Sequence, residues 1–65
     1  MRLTGREIEV IKLLCSGLID REISSEMNIS ARTVQTYIER IMFKLQVRNR
    51  LALVAKYVRE YEVKR

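Results

Sequence analysis

Apolar side chains recur along this chain every three or four residues, the period of an α-helix. The spacing predicts four helices, at about residues 4–16, 20–27, 31–45 and 50–62. The first opens at "TGRE", where Thr4 and Glu7 stand at the spacing of a capping box and Leu3 and Ile8 at that of a hydrophobic staple. Ile8, Ile11, Leu14 and Cys15 come next on one side, with Val10 and Leu13 beside them. Gly17 stops the helix, because glycine tolerates the left-handed position there. The second begins near Asp20, whose carboxylate suits the first free backbone N–H groups. Ile19, Ile23 and Met27 form its stripe. Asn28 is a left-handed candidate, and Ser30 caps the third helix.

The third helix, "ISARTVQTYIERIMFKL", has two faces. At about 100° per residue, Tyr37, Ile38, Ile41 and Leu45 fall within about 60° of Val34. Arg32, Gln35, Thr36, Glu39 and Arg40 fill the opposite arc, from about 100° to 240°. Phe43 lies in the middle of that polar arc. There it would either fold under a neighbouring element or touch a sugar or a thymine methyl. The fourth helix has Asn49 as its expected cap. Its apolar residues spread over about 200°, twice the stripe that one small core needs. Leu53, Val54, Tyr57 and Tyr61 can face the domain. Leu51, Ala55 and Val58 are then left for a second copy of the chain, although scattered apolar surface is common in itself. The fold expected is all-α: a compact four-helix single domain over residues 1–65, with its last helix available for dimerisation.

The composition narrows this picture. A chain of 65 residues is one domain at most. It buries only about 60% of its surface, so small domains often rely on disulfides, a metal or a partner subunit. One cysteine and no histidine exclude an internal disulfide and Cys/His metal spacing. No metal or cofactor is expected, and a partner subunit remains. Cys15, inside "VIKLLC", reads as a buried, inert thiol.

Charge is unevenly placed. Residues 1–28 hold four basic and five acidic side chains. Residues 29–50 hold Arg32, Arg40, Lys44, Arg48 and Arg50 against Glu39 alone. Basicity thus gathers on and after the third helix, as on a surface that binds a polyanion. A merely solvated basic face would give the same count. No run of 18 apolar residues and no signal-peptide pattern is present, so the expectation is a cytoplasmic protein without a membrane partner.

The second and third helices are joined by little more than "NIS", which suits a helix-turn-helix. In that arrangement the second helix of the pair lies in the DNA major groove. Gln35 is then the right type to bond an adenine edge, Thr36 to bond a base or touch a thymine methyl, and Glu39 to accept from cytosine N4. Arg32, Arg40, Lys44, Arg48 and Arg50 are the right types for phosphates. An enzyme is disfavoured, since histidine, paired carboxylates on a cleft and a glycine-rich phosphate loop are all missing.

From Leu3 to Val54 the chain resembles the LuxR-type helix-turn-helix family, also called NarL/FixJ or GerE-like, without a gap. The matching pieces are "LT-RE---V--LL--G" at Leu3–Gly17, "EI" at Glu22–Ile23, "ISARTV" at Ile29–Val34, "KL-V" at Lys44–Val47, and Arg50. The resemblance implies a bacterial transcription-factor domain. Its third helix would read the major groove of double-stranded promoter DNA, often as paired half-sites, and its fourth would form a homodimer, in part only on DNA. Carried over by residue, Gln35, Thr36 and Glu39 fall on base-contacting positions. Thr33, Arg40, Lys44 and the turn Val47–Arg50 fall on backbone-contacting ones, and Tyr37 can offer its hydroxyl to a phosphate. Three residues depart from the common pattern: Gln35 stands where lysine is usual, Tyr37 where histidine is, and Gln46 where glycine is.

Two other readings compete. A sigma-factor region 4 domain, which would act with RNA polymerase, shares "LT-RE---V". Its stretch between the glycine and "EI" is usually longer than the five residues from Gly17 to Glu22, and it ends sooner after its reading helix. A protein-interaction module would leave the basic face solvated. The chain starts at Met1, two residues before the motif, which suits a domain excised from a longer regulator somewhat better than a stand-alone chain.

Overall fold

The computed structural model describes residues 2–62. Helices α1 (Gly5–Cys15), α2 (Asp20–Met27), α3 (Ala31–Leu45) and α4 (Arg50–Tyr57) succeed one another, and a wider π-helical turn continues over Val58–Glu62. No strand occurs among the described residues. The outer ends of the expected domain, Met1 and residues 63–65, lie outside them.

Local chemistry sets the helix ends. Thr4 Oγ1 accepts from the Glu7 amide at 3.2 Å, and Glu7 Oε1 accepts from the Thr4 amide at 2.8 Å, which completes the capping box. Gly17 takes φ 91°. Across it, the Gly17 amide donates to Leu14 O and the Leu18 amide to Leu13 O, which satisfies carbonyls the helix leaves open. Asn28 and Gln46 are left-handed at φ 57° and 58°. Ser30 Oγ accepts from the Thr33 amide at 3.0 Å and Asn49 Oδ1 from the Ala52 amide at 2.8 Å.

The start of α2 differs from expectation. Ile19 holds the cap position in extended backbone, and Asp20 is already the first helical residue. Glu22 Oε1 accepts from the Ile19 amide at 3.0 Å. Asp20 lies one position too far into the helix to cap it, and its carboxylate binds Arg50. Ile19, lying ahead of the helix, is exposed instead of joining the stripe with Ile23 and Met27.

One core joins all four helices: Val10 and Ile11 of α1, Ile23 of α2, Val34, Ile38, Ile41 and Leu45 of α3, and Leu53 and Tyr57 of α4. Helix α3 packs on the other three and supplies the largest share. With its apolar stripe fixed inward, its polar arc must face outward. Cys15 is half-buried against this core, less enclosed than its apolar run suggests. The expected fourth helix does not run to residue 62 as one α-helix. It widens after Tyr57, where the Tyr57 and Tyr61 rings stack at 4.9 Å and 8°. The widening breaks the 3.6-residue phase, and Tyr61 is exposed where the ideal wheel points it inward. Val54 is half-buried.

Candidate nucleic-acid interface

The geometry of α3 starts from its turn. Asn28 in the left-handed region lets the Ile29 amide reach Ser24 O at 3.0 Å, and Ser30 then caps α3. Only residues 28–30 separate the two helices. The outward face of α3 presents Arg32, Thr33, Gln35, Thr36, Glu39, Arg40 and Phe43, all exposed.

Their partners differ in ways that matter chemically. Thr33 Oγ1 lies 2.9 Å from Ser30 Oγ, so it is engaged in the cap. Thr36 Oγ1 donates to Arg32 O at 3.1 Å, which leaves its lone pairs and methyl outward. Glu39 forms no ion pair with Arg32 or Arg40, or with any other described residue. Tyr37 is half-buried, and the Arg40 guanidinium lies 5.8 Å from its ring centroid. Tyr37 also neighbours Arg6, whose pKa it raises, with Glu9 as the second cause. Phe43 is 73% exposed, so it does not fold under a neighbour.

The basic residues fall into two groups. Arg32 and Arg48 point outward and join no ion pair among the described residues. Arg40 is also exposed. Lys44 and Arg50 are held from within. Lys44 Nζ donates to Glu7 Oε1 at 2.8 Å and to Arg2 O at 3.2 Å. The Glu7 side chain is only 2% exposed. Burial alone would raise its pKa, but the Lys44 bond and the Thr4 amide outweigh it and hold the carboxyl below its ordinary value. Arg50 Nη1 and Nη2 donate to the two oxygens of Asp20 at 2.7 and 2.8 Å. That grip lowers the Asp20 pKa against the opposing effect of burial, and the Gln35 side chain adds to the lowering.

Helix α4 lies beyond this face. Leu51 is 81% exposed, Ala55 is exposed and Val58 half-buried. The structure thus brings Gln35, Thr36, Glu39, Arg32 and Arg40 onto one face, with Arg50 joined to its edge through Asp20. It leaves Leu51 and Ala55 on α4 and Val58 at the start of the π-helical turn, apart from that face. Sequence reasoning missed Asp20 and Glu7 as partners of Arg50 and Lys44. These pairs join residues 30 and 37 positions apart, which no local pattern reports.

The sequence profile described as "Bacterial regulatory proteins, luxR family" matches residues 1–57. The chain belongs to this family. Among its relatives, the probable transcriptional regulator ycf29 of Cyanophora paradoxa is 42% identical over 57 residues, or 88% of this chain and 27% of that protein. The transcriptional regulatory protein DesR of Bacillus subtilis is 41% identical over 54 residues, 83% of this chain and 27% of that one. The nitrate/nitrite response regulator protein NarP of Escherichia coli is 38% identical over 58 residues, 89% and 27%. The crystal structure of the response regulator ChrA, from a heme-sensing two-component system, superposes with a TM-score of 0.88 at 33% identity, covering 97% of this chain and 31% of that one. This luxR-family chain therefore spans about a quarter of the length of the curated relatives it matches. It is a helix-turn-helix domain of the DNA-binding, transcription-regulating kind, and the family is not one of enzymes. Among the described residues, no helix is long and apolar enough to cross a membrane.

Proposed function

We propose that this domain reads double-stranded DNA by laying α3 in the major groove. The observation that carries the reading is the outward face of α3: polar, exposed, and fixed by a core that holds the opposite stripe. Gln35, Thr36 and Glu39 meet base edges there. Arg32, Thr33, Tyr37, Arg40 and Arg48 hold phosphates on either side. Lys44 and Arg50 belong to the same set, but with part of their charge answered by Glu7 and Asp20, so they add less to affinity. Two copies meet through Leu51 and Ala55 of α4 and Val58 just after it, mainly once both are on paired half-sites. The whole protein acts in the cytoplasm as a transcriptional regulator of the response-regulator type, in line with its relatives DesR and NarP.

The test is fluorescence anisotropy of the chain on a mixed-sequence duplex, titrated over a range of salt. Each phosphate neutralised contributes about −0.9 to the slope of log K against log salt. Four arginines engaged (Arg32, Arg40, Arg48 and Arg50) give a slope of about −3 to −4. Absence of binding at low salt would overturn the reading and leave a solvated basic face.

A further inference from the structure

Phe43 is 73% exposed, the most open aromatic residue among those described. The other rings are engaged. Tyr57 and Tyr61 stack on each other, and Tyr37 lies beside Arg40. Phe43 meets no other ring and no cation among the described residues. Scattered apolar side chains are common on protein surfaces, but this one has a defined place. At about 100° per residue, Phe43 leaves α3 between the directions of Glu39 and Thr36, within about 40° of each. All three are exposed. Phe43 stands one turn past Glu39 and two turns past Thr36, about 6 and 10.5 Å along the axis. It therefore extends the row of side chains assigned to base edges, toward the closing end of the helix.

We propose that Phe43 is a specificity-determining residue whose ring touches a thymine C5-methyl in the major groove, about three base pairs along from the base that Thr36 meets. The inference deepens the proposed reading of DNA by α3 and rests on it. A phenyl ring has no donor and no acceptor, so it ignores the hydrogen-bonding pattern of the groove. The thymine methyl is the apolar mark that the major-groove edges carry, and phenylalanine is a residue type that meets it. The distance fits, since two helical turns span about three base-pair steps of about 3.4 Å. The groove curves away from a straight helix, so a residue near the helix end needs a long side chain to stay in touch with the bases. The sugars are also partly apolar, but they line the walls of the groove. The direction shared with Glu39 and Thr36 aims the ring at the floor.

The test removes the methyl from the DNA instead of from the protein. A duplex is selected from a random pool with the wild-type chain, and each of its thymines is replaced in turn by uracil, which lacks only the C5-methyl. At one thymine the replacement should weaken wild-type binding by about fourfold, the worth of one buried methyl group. In Phe43→Ala that dependence should vanish, while any cost of uracil at other thymines persists. Phe43→Leu, still apolar, should keep part of it. The ring is exposed in the free domain, so the Tm of Phe43→Ala should hold or rise, which separates a lost contact from a lost fold. If Phe43→Ala weakens all duplexes alike and keeps every uracil effect, the ring meets a sugar and the inference is overturned. If the variant binds and discriminates as the wild type does, the ring meets no DNA and the inference is again overturned, with the reading by α3 left standing. A wild-type chain that binds no duplex overturns both.

Discussion

Lys44, in the last turn of α3, places its ammonium 2.8 Å from Glu7, in the first turn of α1. The carboxylate also closes the α1 capping box. One buried acid therefore serves a helix start and the far end of the proposed reading helix. Removing one partner of such a pair strands the other. Lys44→Met should cost about 3 kcal/mol at neutral pH, the usual scale for an uncompensated buried charge, measured by urea unfolding.

The same contacts set an acid limit. Glu7 and Asp20 both sit below their ordinary values of 4.5 and 3.8. For Glu7, burial works the other way and is outweighed by Lys44 and Thr4; for Asp20, Arg50 is the main cause. A lowered folded value gives stability that is complete above the ordinary value and lost as pH falls through the folded one. Unfolding free energy attributable to these groups should stay flat down to about pH 5 and decline below it. In Lys44→Met, Glu7 loses its largest counterweight to burial, so the acid-side decline should shrink, and a wild-type-like profile in that variant would refute the assignment.

Gln35→Ala should weaken binding to a selected duplex by about 1–3 kcal/mol and relax preference at a single position. Equal losses on selected and random duplexes would show that Gln35 reads nothing.

Arg48 is exposed and outside any ion pair among the described residues, whereas Lys44 is already bound to Glu7. Arg48→Ala should weaken all duplexes alike and reduce the salt slope by about 1. An effect confined to one base position would move Arg48 from the phosphates to the bases.

Leu51 is the cleaner probe of pairing between copies, since its exposure means a charge there leaves the core alone. Leu51→Asp should abolish cooperative binding to paired half-sites and preserve binding to a single one. Cooperativity that survives would assign the α4 stripe to something else.

Gln46 holds a left-handed conformation at φ 58° without the freedom of glycine. Gln46→Gly should relieve that strain. Set against the greater freedom glycine gives the unfolded chain, the gain is about 1 kcal/mol. This corresponds to a rise of about 4–8 °C in Tm for a domain of this size.

Much of this was legible in the sequence because it is local. The capping box at Thr4, the left-handed Asn28, the inward stripe of α3 and the exposed arc from Arg32 to Arg40 all derive from spacings within one or two turns. What escaped is of two kinds. The Asp20–Arg50 and Glu7–Lys44 pairs depend on how helices dock, so Asp20 looked like a cap and Lys44 like a free cation. The wider turn after Tyr57 has no signature in apolar spacing, since a small change of period is invisible over five residues.

Lys44 has a second bond, from its ammonium to the backbone carbonyl of Arg2. The segment leading into α1 is thereby clipped to the closing turn of α3, across the body of the domain. A pull on the backbone at residue 2 would thus reach the end of that helix by two routes, the Lys44 side chain and the apolar packing of α1 on α3.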